Sequence, residues 1–196
     1  MKPHLVHAHD CAPQPWRNGG GQTRELLAWP AGPHWQLRIS RADIDADGPF
    51  SAFPGVQRWF AVLQGAGVAL QLGCEQPLHA GDAPLCFDGA EAPPCRLLDG
   101  PTQDLNLMVR QGKGHMQVVR PGQRWSATLG ECGLYTCQAG LWSDGTQTLH
   151  LAAHTLLWHA APRSATWQFV ADDSTHTLCA YWLGFSPSST TIGGHA

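Results

Sequence analysis

Lysine is nearly absent from this 196-residue chain: Lys2 and Lys113 are the only two, and 12 basic side chains face 15 acidic ones. A balance that poor in positive charge leaves no electrostatic footprint for nucleic acid or an anionic membrane, so neither is expected as a partner. Long apolar runs are missing as well. The opening MKPHLVHAHDCAPQPW has no stretch of signal-peptide length, nothing further on is long and apolar enough to span a bilayer, and a cytoplasmic protein is expected. The seven cysteines are odd in number and form no C-x-x-C pair, which disfavours a disulfide framework or a zinc site and predicts reduced core residues. Uninterrupted helical windows are scarce too, because 22 glycines and 15 prolines punctuate the chain.

What remains is β-structure. Strands rich in β-branched and aromatic residues are predicted at 24–29, 34–41, 57–63, 67–72, 83–87, 104–110, 115–119, 133–138, 147–152, 155–159, 166–170 and 177–184. Their short, even spacing suits a sandwich or barrel. Gly112-Lys113-Gly114 marks a boundary between two β units, 1–112 and 113–186, and the polar stretch 187–196 reads as a flexible tail. Successive strand residues point to opposite faces, so Gln36, Arg38 and Ser40 share one face, as do Asp104, Asn106 and Met108. Alternation does not say which face is inward.

Several chemistry signals weaken on inspection. Asp43-Ile44-Asp45-Ala46-Asp47-Gly48 imitates the start of a calcium loop, but Pro54 stands where the closing glutamate is needed, so it reads as an acidic turn. His7 and His9 have the spacing of a paired ligand in a strand, yet they sit in an N-terminal stretch expected to be loose, and His150 and His154 share a face only if one strand is unbroken. No nucleophile elbow, phosphate loop or dinucleotide fingerprint is present.

The most informative segment is Trp16-Arg17-Asn18-Gly19-Gly20-Gly21-Gln22-Thr23-Arg24-Glu25, too polar and glycine-rich for core, which reads as a loop presenting side chains to a site. Together with W-Q-L-R-I-S-R-A-D-I-D-A-D-G-P-F-S-A-F-P-G-V-Q-R (35–58) and D-L-N-L-M-V-R (104–110), it closely resembles the HutD/Ves family, over the whole first half and more weakly thereafter. The resemblance implies an all-β bicupin, two cupin-like antiparallel β-barrels of the jelly-roll type; the ligand pocket is assigned to the first, and the second, in which no site is visible, is expected to be structural or part of the subunit contact. It also implies a tie to bacterial histidine utilisation, where the family is thought to restrain induction by binding an intermediate such as urocanate or formiminoglutamate. The cupin metal motif needs histidines, and after Arg58 none occurs before His79, so no metal or other cofactor is expected.

On this reading the partner is a small, urocanate-like carboxylate. Arg58, which stands in the family's F-P-G-x-x-R motif, or Arg38 makes the bidentate contact that a planar guanidinium suits. Asn106, Thr23 and Gln36 supply neutral hydrogen bonds, Trp16 stacks on a flat ring, and Arg17 and Asn18 stand at the mouth. Phe50, Phe53 and Trp59 are assigned to packing. An enzyme is the alternative, a metal-independent isomerase or hydrolase with Glu25 or Asp104 as general base, and a protein-interaction regulator is a third reading. Trp158, Trp167 and Trp182 suit either a second core or the contact face of a homodimer.

Overall fold

The structure, a computed structural model, describes residues 3–160, 166–173, 178 and 180–188. Regular structure among them is all β apart from two 3-10 turns, at Ala8–Asp10 and Gly89–Glu91. The first strands are β1 (His4–His7), β2 (Pro13–Pro15), β3 (Gly21–Trp29), β4 (Leu37–Ile44), β5 (Gly48–Pro49), β6 (Gln57–Gln64), β7 (Val68–Leu72), β8 (Cys74–Leu78), β9 (Leu85–Asp88), β10 (Pro94–Leu97) and β11 (Thr102–Val109). There follow β12 (Lys113–Val118), β13 (Arg124–Ser126), β14 (Glu131–Thr136), β15 (Gly140–Ser143), β16 (Thr148–Leu151), β17 (Thr155–Ala160), β18 (Thr166–Ala171) and β19 (Ala180–Ser186). No helix among the described residues is long and apolar enough to cross a membrane.

Among the described residues all pairings are antiparallel and form four sheets, in the orders β2-β3-β4-β11-β6-β9, β5-β10-β7-β8, β1-β17-β14-β19-β12 and β13-β18-β15-β16. The sheets stay open, each with two edges, where closed barrels were expected. Prolines explain part of this: Pro13 and Pro15 in β2 and Pro49 in β5 have no N–H to continue a ladder, which confines them to edges. Each predicted strand has a counterpart, whereas β1, β2, β5, β8, β10, β13 and β15 escaped the pattern; four of these, β2, β5, β8 and β10, contain proline, and the others are only three or four residues long.

The six-stranded sheet is apolar on one face because that face meets the five-stranded sheet. Leu37, Ile39, Leu105, Leu107 and Val109 pack with Met116, Tyr135, Leu156, Tyr181 and Leu183. On its opposite face Ile44, Phe60 and Val62 meet Val68, Leu70 and Cys95 of the second sheet. The other two sheets enclose a tryptophan cluster in which Trp125 and Trp182 stack at 5.1 Å, while Trp142 meets Trp167 edge-on at 5.0 Å. Trp167 and Trp182 are thus fully buried core, and Trp158 joins the layer between the larger sheets.

Several expectations change. The N-terminal stretch is pinned, because β1 pairs with β17, Ala8 is fully buried and His7 Nδ1 lies 2.9 Å from Thr155 Oγ1. Cys95 and Cys132 are buried, but Cys74 and Cys86 are exposed; Cys179 lies outside the described residues. His150 and His154 are separated by the break between β16 and β17: His150 pairs with Asp172 at 2.8 Å, and His154 lies 3.4 Å from the Tyr135 hydroxyl. In the acidic turn, Asp43 is held by Arg41 and Gln22, and Asp47 accepts from the Leu97 N–H. Beyond Ser188 the expected tail lies outside the described residues.

Candidate functional site

Register builds the site. Arg38 of β4 and Arg58 of β6 both pair with Met108 of β11, so the three stand in one row across adjacent strands and point to one face. Two strand spacings put the arginine Cα atoms about 10 Å apart. The next rows are Ser40–Asn106–Phe60 and Ala42–Asp104–Val62. Above this face opens a cavity of about 770 Å³, walled by Gln14 to Asn18 on one side and Pro49 to Phe53 on the other.

The glycine run shapes the first wall. Gly19 has φ +71°, and a Cβ on Gly21 would lie 2.2 Å from the Asp43 carbonyl oxygen and 3.2 Å from the Trp16 ring, so only glycine lets β3 pass so close to β4. Asn18 Oδ1 accepts from the Gly20 N–H and caps the turn, while Trp16 donates its indole N–H to Thr23 Oγ1 at 2.7 Å. In the second wall, the N–H of Phe53 donates to the Gly89 carbonyl and that of Gly89 donates to the Val56 carbonyl, locking Phe53-Pro54-Gly55 just ahead of Arg58.

Arg58 is almost wholly buried, at 8% exposure. Its Nε donates to Asn106 Oδ1 at 2.8 Å, and Asn106 Nδ2 donates in turn to Asp104 Oδ1. Phe50, Phe87 and Phe60 surround the guanidinium carbon at 4.2, 5.5 and 5.8 Å from their centroids, so its charge is partly met by ring faces. Burial pulls Arg58 down to about 10, opposed by Asp104, which leaves it a cation at neutral pH. Burial likewise pushes the Asp104 carboxyl up to about 7, against the attraction of Arg58 and the Asn106 hydrogen bond. Arg38 is engaged differently, through Nε to Glu25 Oε2 at 2.8 Å.

Seven of the eight residues singled out in the sequence line this one cavity: Trp16, Arg17, Asn18, Thr23, Arg38, Arg58 and Asn106. Gln36 does not. Regular pairing begins at Leu37, and the Gln36 backbone closes the strand end instead, donating to Trp29 and accepting from Arg110. Phe50 and Phe53, assigned to packing, line the cavity as well as packing, whereas Trp59 lies on the opposite face against the inter-sheet core. Sequence reasoning passed over Gln14 and Ser51, which no pattern distinguishes, and also Ser40, which alternation had placed with Arg38, and Met108, which it had placed with Asp104 and Asn106. The two candidate general bases, Glu25 and Asp104, are not in the lining.

Among the described residues the lining holds three arginines and no Asp, Glu, His, Cys or Lys. A cupin metal needs imidazole or carboxylate donors, and guanidiniums repel a cation, so this donor set does not fit a divalent metal. Among the described residues no group of three or more His, Cys, Asp or Glu is placed to hold one. What the cavity offers is donors and positive charge.

The sequence profile of HutD matches residues 8–179. The chain belongs to the HutD family. An uncharacterized 21.2 kDa protein from the hutC 3′ region of Pseudomonas putida is 36% identical over 163 residues, covering 80% of this chain and 73% of that protein. Protein Ves of Citrobacter koseri is 34% identical over 158 residues, covering 69% and 81% respectively. The solved structure of HutD from Pseudomonas fluorescens SBW25 superposes with a TM-score of 0.79 at 26% identity, over 95% of this chain and 99% of that one. Outside the HutD family, a variant of Bacillus subtilis oxalate decarboxylase shares the cupin-like fold at 10% identity with a TM-score of 0.59, over 93% of this chain and 77% of that one.

Proposed function

We propose that this HutD-family chain is a non-enzymatic bicupin that binds a small carboxylate in the cavity above Arg58 and thereby modulates histidine utilisation. Its two pairs of sheets are two cupin-like units, of which the first carries the ligand and the second is structural. The pathway assignment draws on the name and location of its relatives, and urocanate and formiminoglutamate are the intermediates with the fitting chemistry. One observation carries the reading: a cavity lined by three arginines and no acid, with the buried Arg58 tied through Nε so that its Nη ends are left for a ligand. A carboxylate meets those two nitrogens with the bidentate geometry that makes such contacts strong. Trp16 offers a flat apolar wall to a ring such as imidazole, and Arg17 and Asn18 are exposed at the rim. Acid–base catalysis would need a base within hydrogen-bond reach of the substrate, and among the described residues no carboxylate or imidazole lines the cavity.

The test is calorimetric titration with urocanate, formiminoglutamate and histidine. A hydrogen bond to a charged group contributes about 1.5–3 kcal/mol, so Arg58→Ala should weaken binding at least tenfold. Saturable binding lost in that variant supports the reading. An unchanged affinity removes Arg58 from the site, and no heat with any of the three detaches the chain from the pathway as a direct sensor.

A further inference from the structure

We infer that Asp104 is a positioning residue for the anion-binding arginine, and that it takes up a proton from solvent when an anion binds; this rests on the reading of the cavity as a carboxylate site. Asp104 does not reach the cavity and is 1% exposed, directly behind Asn106. Its effect is transmitted through one amide. A guanidinium only donates, so Asn106 must turn Oδ1 toward Arg58 Nε, and its Nδ2 then needs an acceptor. Asp104 Oδ1 is that acceptor. Asp104 therefore holds the amide the way round that satisfies Arg58 Nε and leaves the Nη atoms, which make no hydrogen bond among the described residues, for a ligand.

Charge supplies the second half. A carboxylate arriving at the Nη atoms is a second negative charge on a guanidinium already compensated from behind and almost wholly buried among three phenyl rings. The two anions repel at low dielectric, and protonating Asp104 relieves this without cost to the amide, since a carboxylic acid keeps an acceptor oxygen for Asn106 Nδ2. The balance is one proton moved from solvent to Asp104 for each anion bound while Asp104 is ionised. The other charged and titratable groups around Asp104 are engaged elsewhere or fixed in charge. Arg41 and Asp43 of β4 are paired with each other at 3.0 Å, Arg58 of β6 is already a cation, and Cys95 of β10 and Tyr135 of β14 are both held protonated by burial. The carboxyl, pushed up to about 7, titrates in the range where the effect is measurable.

The experiment measures the affinity of urocanate and of glutarate at pH 7, 8 and 9 for the wild type, Asp104→Asn and Asp104→Ala. Neither probe changes its own charge much over this range. If binding raises the proton affinity of Asp104 tenfold, the wild-type complex is about fivefold weaker at pH 9 than at pH 7. Asp104→Asn keeps an acceptor for Asn106 but cannot titrate, so its affinity stays flat and exceeds the wild type's at pH 9. Asp104→Ala removes the acceptor and binds more weakly than Asp104→Asn at every pH. A flat wild-type profile, or an unchanged slope in Asp104→Asn, overturns the inference and leaves the carboxylate site standing. Failure of both probes to bind the wild type and Asp104→Asn at any pH overturns the carboxylate site, and the inference with it.

Discussion

Replacing Asp104 by Asn should make the ligand-free protein more stable at alkaline pH, although it deletes the carboxylate beside a buried arginine. Two effects compete. Removing one partner of a buried ion pair ordinarily costs 3–5 kcal/mol, but here the partners do not touch: Asn106 stands between them, and Arg58 keeps its hydrogen bond to Asn106 and the phenyl rings around it. Burial is the larger effect on Asp104, and it raises the carboxyl from 3.8 to about 7 with the attraction of Arg58 already included. The folded state thus holds the Asp104 proton more tightly than the unfolded chain does. Ionisation penalises the fold by an amount that is near zero below pH 4, grows between pH 4 and 7, and is complete above pH 7. Three units at 1.36 kcal/mol each make that penalty about 4 kcal/mol. Asn cannot ionise and escapes it. Urea unfolding of both proteins at pH 4, 6 and 8 reads the prediction directly, because their difference cancels every other titrating group. The stability of Asp104→Asn relative to wild type should rise by about 4 kcal/mol from pH 4 to pH 8. A difference that falls as pH rises would mean that the Arg58 attraction outweighs burial, and the argument would be wrong at its root.

Other consequences are checked by the same unfolding assay. Gly21→Ala places a methyl 2.2 Å from the Asp43 carbonyl oxygen, a backbone atom that cannot swing aside, so a loss of about 1–3 kcal/mol or more is expected, and an unchanged midpoint would show that β3 and β4 can part there. Trp167→Ala empties the centre of the tryptophan cluster and should cost about 3–5 kcal/mol, whereas Trp142→Phe should cost much less, because the buried Trp142 indole N–H makes no hydrogen bond among the described residues. Tyr181→Phe removes the hydroxyl that donates to the Val62 carbonyl at 3.1 Å across the two larger sheets, with an expected loss of about 1 kcal/mol; near-zero loss would show that this bond adds nothing to the contact.

Composition and period-2 patterning were enough to read an all-β chain with its longer strands in place, because β-branched and aromatic runs between glycines and prolines leave no room for helix. The strands they missed are edge or short strands such as Pro13–Pro15 and Pro94–Leu97, whose prolines disguise them. Alternation also showed that Arg38 shares a face with Ser40 and that Asp104 shares one with Asn106 and Met108, since side chains two apart in a strand must point the same way.

Which face is inward was beyond that reasoning. Leu37, Leu105 and Leu107 look like the core of one unit, yet they bury against a second sheet drawn from later in the chain, and that contact is what turns the arginine face toward the cavity. Pairing register, set by partners tens of residues away, put Arg38, Met108 and Arg58 in one row and left Gln36 outside. Burial, a property of all surrounding chains at once, decided that Arg58 lies among three phenyl rings and that Asp104 stands behind Asn106 rather than in solvent. The sequence determined the strands and the residue types on each face; the packing of sheets remote in sequence decided where charge is hidden and what it can hold.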